Sequence, residues 1–338
     1  MGVYALAFIA FAMDLARRGA LATVAEASAA LPSATARRAQ SATAASAVGR
    51  RGPDGASSTR VATATLTPGG PAGRGMEHDE VQRSIARSAS LKVGITLLTF
   101  GFVLHLAADI LRGIAAARVP WANMFEFSMT GTLIIVGVFL LVSLRYDVKF
   151  LGAFISGLVL VLLGVSTVRY YVDVVPLPPA LQSYWLVIHV LVASLATGMF
   201  AIGFALSVVQ LLQARRESLL AEAKAVKLRF LATLPTSATL ENLSYRANIV
   251  GFILWTFTLI AGAIWAEKAW GKYWGWDTKE VWTFIIWVVY AGYIHARATR
   301  GWRGSRSAWL AIIGFSAVMF NFGIVNIFFK GLHSYSGL

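Results

Sequence analysis

Cysteine is absent from the 338 residues, which excludes disulfides, thiolate metal sites and thiol redox catalysis on this chain. Charge is scarce too, since Asp, Glu, Lys and Arg make up 14% of residues while hydrophobic types make up 57%. The mean hydropathy of +0.65 lies well outside the range of soluble domains. Carboxylates are the rarer sign, 16 against 30 Lys and Arg, for a formal net charge of +14. In a soluble protein that excess would point to nucleic acid. In a chain this apolar, basic loops are what membrane topology demands, so no nucleic-acid partner is expected. Repeats at solenoid spacing and matched Gly/Pro-broken helices are also missing, which disfavours repeat architectures and many secondary transporters.

What is present is a series of apolar runs long enough to cross a hydrocarbon core of about 30 Å. They cover residues 91–111, 128–144, 150–168, 184–212, 248–265, 281–296 and 308–329. A weaker run at 3–15 carries Asp14; a signal peptide or an upstream start are the alternatives there, although a basic n-region is lacking. The fold class is therefore an all-α polytopic integral membrane protein with about eight transmembrane helices in a lipid bilayer. Three regions are expected: a candidate first transmembrane helix at 1–16, a basic Ala/Ser/Arg-rich cytoplasmic linker at 17–90, and a transmembrane domain at 91–338. The linker has too little apolar surface to offset the entropy of ordering, so disorder is predicted over much of it. Arg215, Arg216, Lys224, Lys227 and Arg229 after one span, and Arg297, Arg300, Arg303 and Arg306 after another, mark cytoplasmic loops. The segment between those spans, and the C-terminus, are then external.

Four of the five histidines, His105, His189, His295 and His333, sit in or beside apolar runs, while His78 falls in the polar linker and is incidental. Neutral imidazole is the commonest metal and haem ligand, and an ionisable side chain inside a membrane is costly enough to imply a function. A hydrogen bond to a neighbouring helix is the alternative for any one of them. His189 and His333 are both expected on the external side, where two imidazoles can bind one iron from opposite faces. Of 11 tryptophans, Trp265, Trp270, Trp274, Trp276, Trp282 and Trp287 crowd into one stretch. An interfacial belt accounts for Trp255, Trp302 and Trp309. It accounts poorly for WAEKAWGKYWGWD, where Gly271 and Gly275 permit tight backbone paths and the indoles are expected to form a flat apolar platform for a planar macrocycle. Lys268, Lys272 and Lys279 add positive charge for propionates. Asp277 either accepts a bond from a neighbouring donor or caps a helix beginning near Val281, with Glu280 in its first turn.

The string WAEKAWGKYWGWDTKE (265–280) resembles the WWD signature of haem-handling proteins. In detail the chain resembles the CcsA/ResC family of system II cytochrome c biogenesis, named CcsB in some actinobacteria. LHLAADILRG, PWANMFE, SYWLVIHV, YAGYIHARATRGWRG and FGIVNIFFKGLHSYSG support the resemblance, which runs from Leu91 to the C-terminus. It implies that His189 and His333 are axial ligands of an external haem, with Trp265, Trp270, Trp274, Trp276 and Asp277 around it. It also implies that His295 lies at a transmembrane haem site through which haem enters. His105 is a candidate second ligand there, unless a partner subunit supplies that ligand. The substrate implied is haem b, attached through thioethers to the CxxCH motif of apocytochrome c by a holocytochrome c synthase, of which this chain is one component beside a CcsB/ResB-type membrane partner. No catalytic residue separate from haem binding is implied. The location implied is the bacterial cytoplasmic membrane, with the WWD segment and C-terminus on the periplasmic side. A haem exporter without ligation activity and a b-type electron carrier are the competing readings; against the latter, no helix carries two histidines. Thr278 stands where the family usually has Pro, a mild loss for a helix start. Asn123 and Glu126 match a PxxNMxE pattern and are read as helix-capping residues.

Overall fold

The computed structural model describes residues 1–30, 88–174, 182–329 and 331–333; side chains 24–30 and 300 are outside that description. Eight long helices form an up-and-down bundle, with no strand among the described residues. They are α1 (Gly2–Ala30), α2 (Ala89–Ala116), α3 (Met124–Arg145), α4 (Gly152–Arg169), α5 (Tyr184–Ala221), α6 (Ser237–Trp270), α7 (Thr278–Ala298) and α8 (Ser305–Phe320). A π-helical turn, Asn321–Val325, and a short turn, Asn326–Phe328, continue α8 toward His333. Among the described residues, six segments are long and apolar enough to span a membrane: Ala89–Ala116, Met124–Arg145, Lys149–Arg169, Tyr184–Ala221, Ser237–Trp270 and Ser305–Phe328. The other two, α1 and α7, carry Asp14 and Arg18, and Lys279, Glu280 and Arg297, yet both pack into the same bundle.

α1 runs to Ala30 rather than stopping near residue 16, so the segment expected as a linker begins inside a helix. Alanine-rich sequence favours that continuation. Polar pairing anchors it: Arg18 Nε donates to Asp14 Oδ2 at 2.7 Å in a buried pair, and nearer the surface Arg17 donates to Ser90 and Arg229 donates to Thr23. Tyr4 and Phe11 pack against α2, which makes α1 part of the core cluster. The rest of the linker, 31–87, lies outside the described residues.

α5 and α6 form the most extensive antiparallel pair. His189 meets Thr258 near one end of the pair, and Ser207 meets Ser244 nearer the other. Helix direction then places the two basic loops at one end of the bundle, and the tryptophan segment, the α2–α3 connection and His333 at the other. At the basic end Glu241 of α6 is held by Arg297 of α7 at 2.6 Å, by the Gly304 backbone N–H at 3.0 Å and by Ser307 at 3.3 Å. At the tryptophan end Glu126, wholly buried, accepts from Arg118 at 2.7 Å, Arg112 at 3.1 Å and the Ala122 N–H at 2.9 Å. Buried carboxylates persist only when paired and fully hydrogen-bonded, and both meet that condition. Asn123 caps α3 by accepting from the Glu126 N–H at 2.9 Å, so the PxxNMxE residues close one corner of the bundle.

Candidate functional site

The tryptophan string is only partly a loop. Trp265 to Trp270 complete the last turns of α6, which ends at Gly271 with φ 69°, the left-handed geometry of a helix C-cap. Gly271 to Asp277 then turn the chain into α7. Asp277 is the N-cap of α7, its carboxylate accepting from the Lys279 N–H, while Glu280 accepts from the backbone N–H groups of Gly275 and Asp277. This capping box holds the loop closed. Trp276 keeps φ at 57°, a left-handed conformation that costs a non-glycine residue energy, and is 79% exposed.

The expected flat platform is not what forms. Trp265 and Trp270 meet at 62°, with centroids 4.8 Å apart, and Trp274 and Trp276 meet at 90°, because the first pair is helical and the second sits on a tight turn. The cluster divides by position. Trp265 is buried among the helices and Trp270 packs against it, whereas Trp274 edges Phe284 and Trp276 faces outward. Trp282 packs on Phe320, and Trp287 donates to Thr256, so both serve helix packing.

A cavity of about 170 Å³ opens between α3, α5, α6, α7 and the end of α8. His189 and His333 both line it, as do Trp265, Trp121, Lys279 and Asn123. Trp265 touches both imidazoles, stacked with His189 at 22° and a centroid distance of 5.8 Å, and edge-on to His333 at 5.5 Å. Trp270 adds an edge contact to His333 at 4.8 Å. His189 Nδ1 lies 3.0 Å from the Thr258 carbonyl oxygen, and His333 Nδ1 lies 2.8 Å from Asp277 Oδ2. Both partners only accept, so each Nδ1 carries the proton and donates. In the neutral rings the lone pair then sits on Nε2, which has no hydrogen bond among the described residues. Metal-binding imidazoles are oriented in just this way by an acceptor at the second nitrogen.

Two glycines are required by these contacts. A Cβ at Gly262 would lie 2.8 Å from His189 Cε1, and one at Gly331 would lie 1.7 Å from Asp277 Oδ1. Asp277 thus has two functions that the sequence leaves as alternatives: it caps α7, and it fixes the C-terminal segment through His333 and the Leu332 N–H at 3.1 Å. The hydrogen bond from His333 is the main reason its carboxyl is held below the ordinary carboxylate range.

His105 and His295 are not brought together. His105 is buried between α1 and α2, with Nδ1 3.2 Å from the Tyr4 hydroxyl, whereas His295 is exposed near the end of α7; no hydrogen bond or ring contact joins them among the described residues. Of the three lysines of the tryptophan segment, Lys268 is exposed beside Glu267, Lys272 is exposed, and Lys279 lines the cavity. Trp255, read from sequence as a belt residue, is 6% exposed, donates to the Thr283 carbonyl and lines the cavity. Its position mid-helix in α6 rather than at a helix end was the signal against a belt. Trp121, Asn321 and Asn326 also line the cavity and stand out in sequence only as parts of longer motifs.

Residues 121–333 match the family model described as Cytochrome C assembly protein. The chain is 39% identical over 245 residues to a "Cytochrome c biogenesis protein CcsA" of Guillardia theta, covering 67% of this chain and 80% of that protein. It is 35% identical over 252 residues to a protein of the same name from Trieres chinensis, covering 67% and 81%. A third, from Prochlorococcus marinus, is 43% identical over 177 residues, covering 47% and 56%. The matched residues contain the whole cavity and both histidines that line it, and the chain belongs to the CcsA-type cytochrome c assembly family.

Proposed function

We propose that this protein binds haem b as a substrate in the cavity, with His189 and His333 as axial ligands through Nε2, and presents it to apocytochrome c. One observation carries the reading: two imidazoles line one cavity, each with Nδ1 engaged by an acceptor and Nε2 left for iron. The donor set fits haem, since two imidazole nitrogens can bind the iron and Trp265 and Trp121 offer apolar surface to the macrocycle. His333 sits on a terminal segment held chiefly by Asp277, which suits a ligand that must yield to the histidine of the incoming CxxCH motif.

The reaction is addition of two cysteine thiols to the two haem vinyl groups. At each, a C–S bond forms at one vinyl carbon and a hydrogen is added to the other, with no net redox change. Orientation of the vinyls turns a bimolecular encounter into a preorganised one, and that is the contribution of this chain as a holocytochrome c synthase component. A CcsB/ResB-type subunit is the proposed partner. The positive loops at the opposite end support the reading that the tryptophan segment lies on the external face of a bacterial cytoplasmic membrane.

Co-expression with an apocytochrome c, with and without that partner, tests the reading through covalent haem on the cytochrome. His189→Ala and His333→Ala are each expected to abolish it and to lower haem retained by the purified chain. Wild-type levels of covalent haem in either variant would overturn the assignment.

A further inference from the structure

The cavity holds polar capacity that axial ligation does not use. Lys279, in the first turn of α7, lines it beside the two histidines, and its ammonium donates to Asn326 Oδ1. That bond engages one of three donors. Among the described residues no carboxylate lies within ion-pair distance of Lys279. Asp277, two residues earlier, is already engaged by His333, Leu332 and the Lys279 N–H.

Asn123 supplies a second, independent donor. It is 4% exposed, lines the same cavity, and its Nδ2 has no hydrogen-bond partner among the described residues. The amide cannot be reversed to cure this, since Oδ1 accepts the capping bond from the Glu126 N–H at 2.9 Å. An amide donor buried without a partner carries an uncompensated desolvation cost, which a bound acceptor removes. An ammonium and an unpartnered N–H on two residues that line one apolar-walled cavity call for an anion with more than one acceptor oxygen.

Resting on the haem reading above, we propose that Lys279 and Asn123 form a carboxylate subsite that receives a haem propionate and so sets the rotation of the macrocycle about the axis through its iron. Two histidines fix the iron but leave that rotation free. Pinning one propionate would determine which way the vinyl groups face, which is what thioether formation at defined cysteines requires.

The test compares haem with its dimethyl ester, which keeps the ring, iron and vinyls and loses both carboxylate charges, by titration of the purified full-length chain. Wild type is expected to bind haem at least about tenfold more tightly than the ester, as suits loss of a charge-assisted contact. In Lys279→Met that preference collapses toward unity while the bis-histidine low-spin spectrum persists; Lys279→Arg retains it. Asn123→Asp, which preserves the α3 cap but replaces the donor with an acceptor, is expected to lose the preference as well. Equal binding of haem and ester by wild type overturns the carboxylate subsite and leaves the haem reading standing. An unchanged preference in Lys279→Met, measured on protein with wild-type helix content, also overturns it. Failure of wild type to bind either compound overturns both.

Discussion

The two ends of the bundle use the same device for different purposes. At the basic end Glu241 is clamped by Arg297, Gly304 and Ser307, which ties α6 to α7 and to the start of α8. At the tryptophan end Glu126 is clamped by Arg112, Arg118 and Ala122, which ties α2 to α3. Beyond these clamps the ends diverge. Next to Glu241, polar side chains turn to one another and to helix backbone, as in Ser207 to Ser244 at 2.8 Å and Gln210 to the Gly304 carbonyl at 3.0 Å. Next to Glu126, polar groups face a cavity, and His189, His333 and Asn123 keep nitrogen atoms that no protein group engages among the described residues. Polar groups paired with one another hold a structure; donors and lone pairs beside a cavity are available to a ligand.

The largest effect tests the shared device. Glu126→Ala and Glu241→Ala each take the carboxylate away from a buried ion pair and are expected to destabilise the protein by about 3–5 kcal/mol, read as thermal unfolding in detergent. A much smaller loss at one end would break the symmetry. His189→Ala and His333→Ala are expected to cost less stability than either carboxylate loss while haem retention is abolished, because each removes one Nδ1 hydrogen bond together with an Nε2 atom that supports nothing else in the fold. Gly262→Ala drives a methyl to 2.8 Å from His189 and is expected to cost about 1–3 kcal/mol and to weaken haem binding without touching a ligand. Asp277→Asn keeps a competent helix cap but weakens the orientation of His333, so haem affinity should fall about 10–100-fold with little loss of helix content.

The smallest effect is a pH dependence. The carboxyl of Asp277 is held below its ordinary value by the bond from His333, so its stabilisation is complete above the unfolded carboxylate value of about 4 and is lost as pH falls through the lowered folded value. Acid titration of wild type against Asp277→Asn should show one component of acid loosening missing from the variant. An identical profile would mean that the His333 contact contributes nothing to holding the C-terminal segment.

The eight helices and their alternation are legible in the sequence because membrane spans require long apolar runs and charge marks their ends. Trp265, His189 and His333 are legible as members of one site through the motif resemblance. The split of the tryptophan string is not, since whether Trp265 to Trp270 continue a helix depends on packing against α5 rather than on local composition. Trp255 is misread for a related reason: an indole at headgroup level and one buried beside a cavity have the same residue type, and only neighbours distinguish them.

By itself, then, the sequence determined a basic, cysteine-free, all-helical membrane chain in which four histidines in or beside apolar runs are the candidate ligands. The tertiary structure decided which imidazoles share a cavity, which nitrogen of each carries the proton, and that Asp277 both caps α7 and orients His333. Those outcomes rest on contacts between residues far apart in the chain, such as 189 with 258 and 277 with 333. Hydrogen-bond direction and close approach depend on distance in space, which local sequence pattern does not encode.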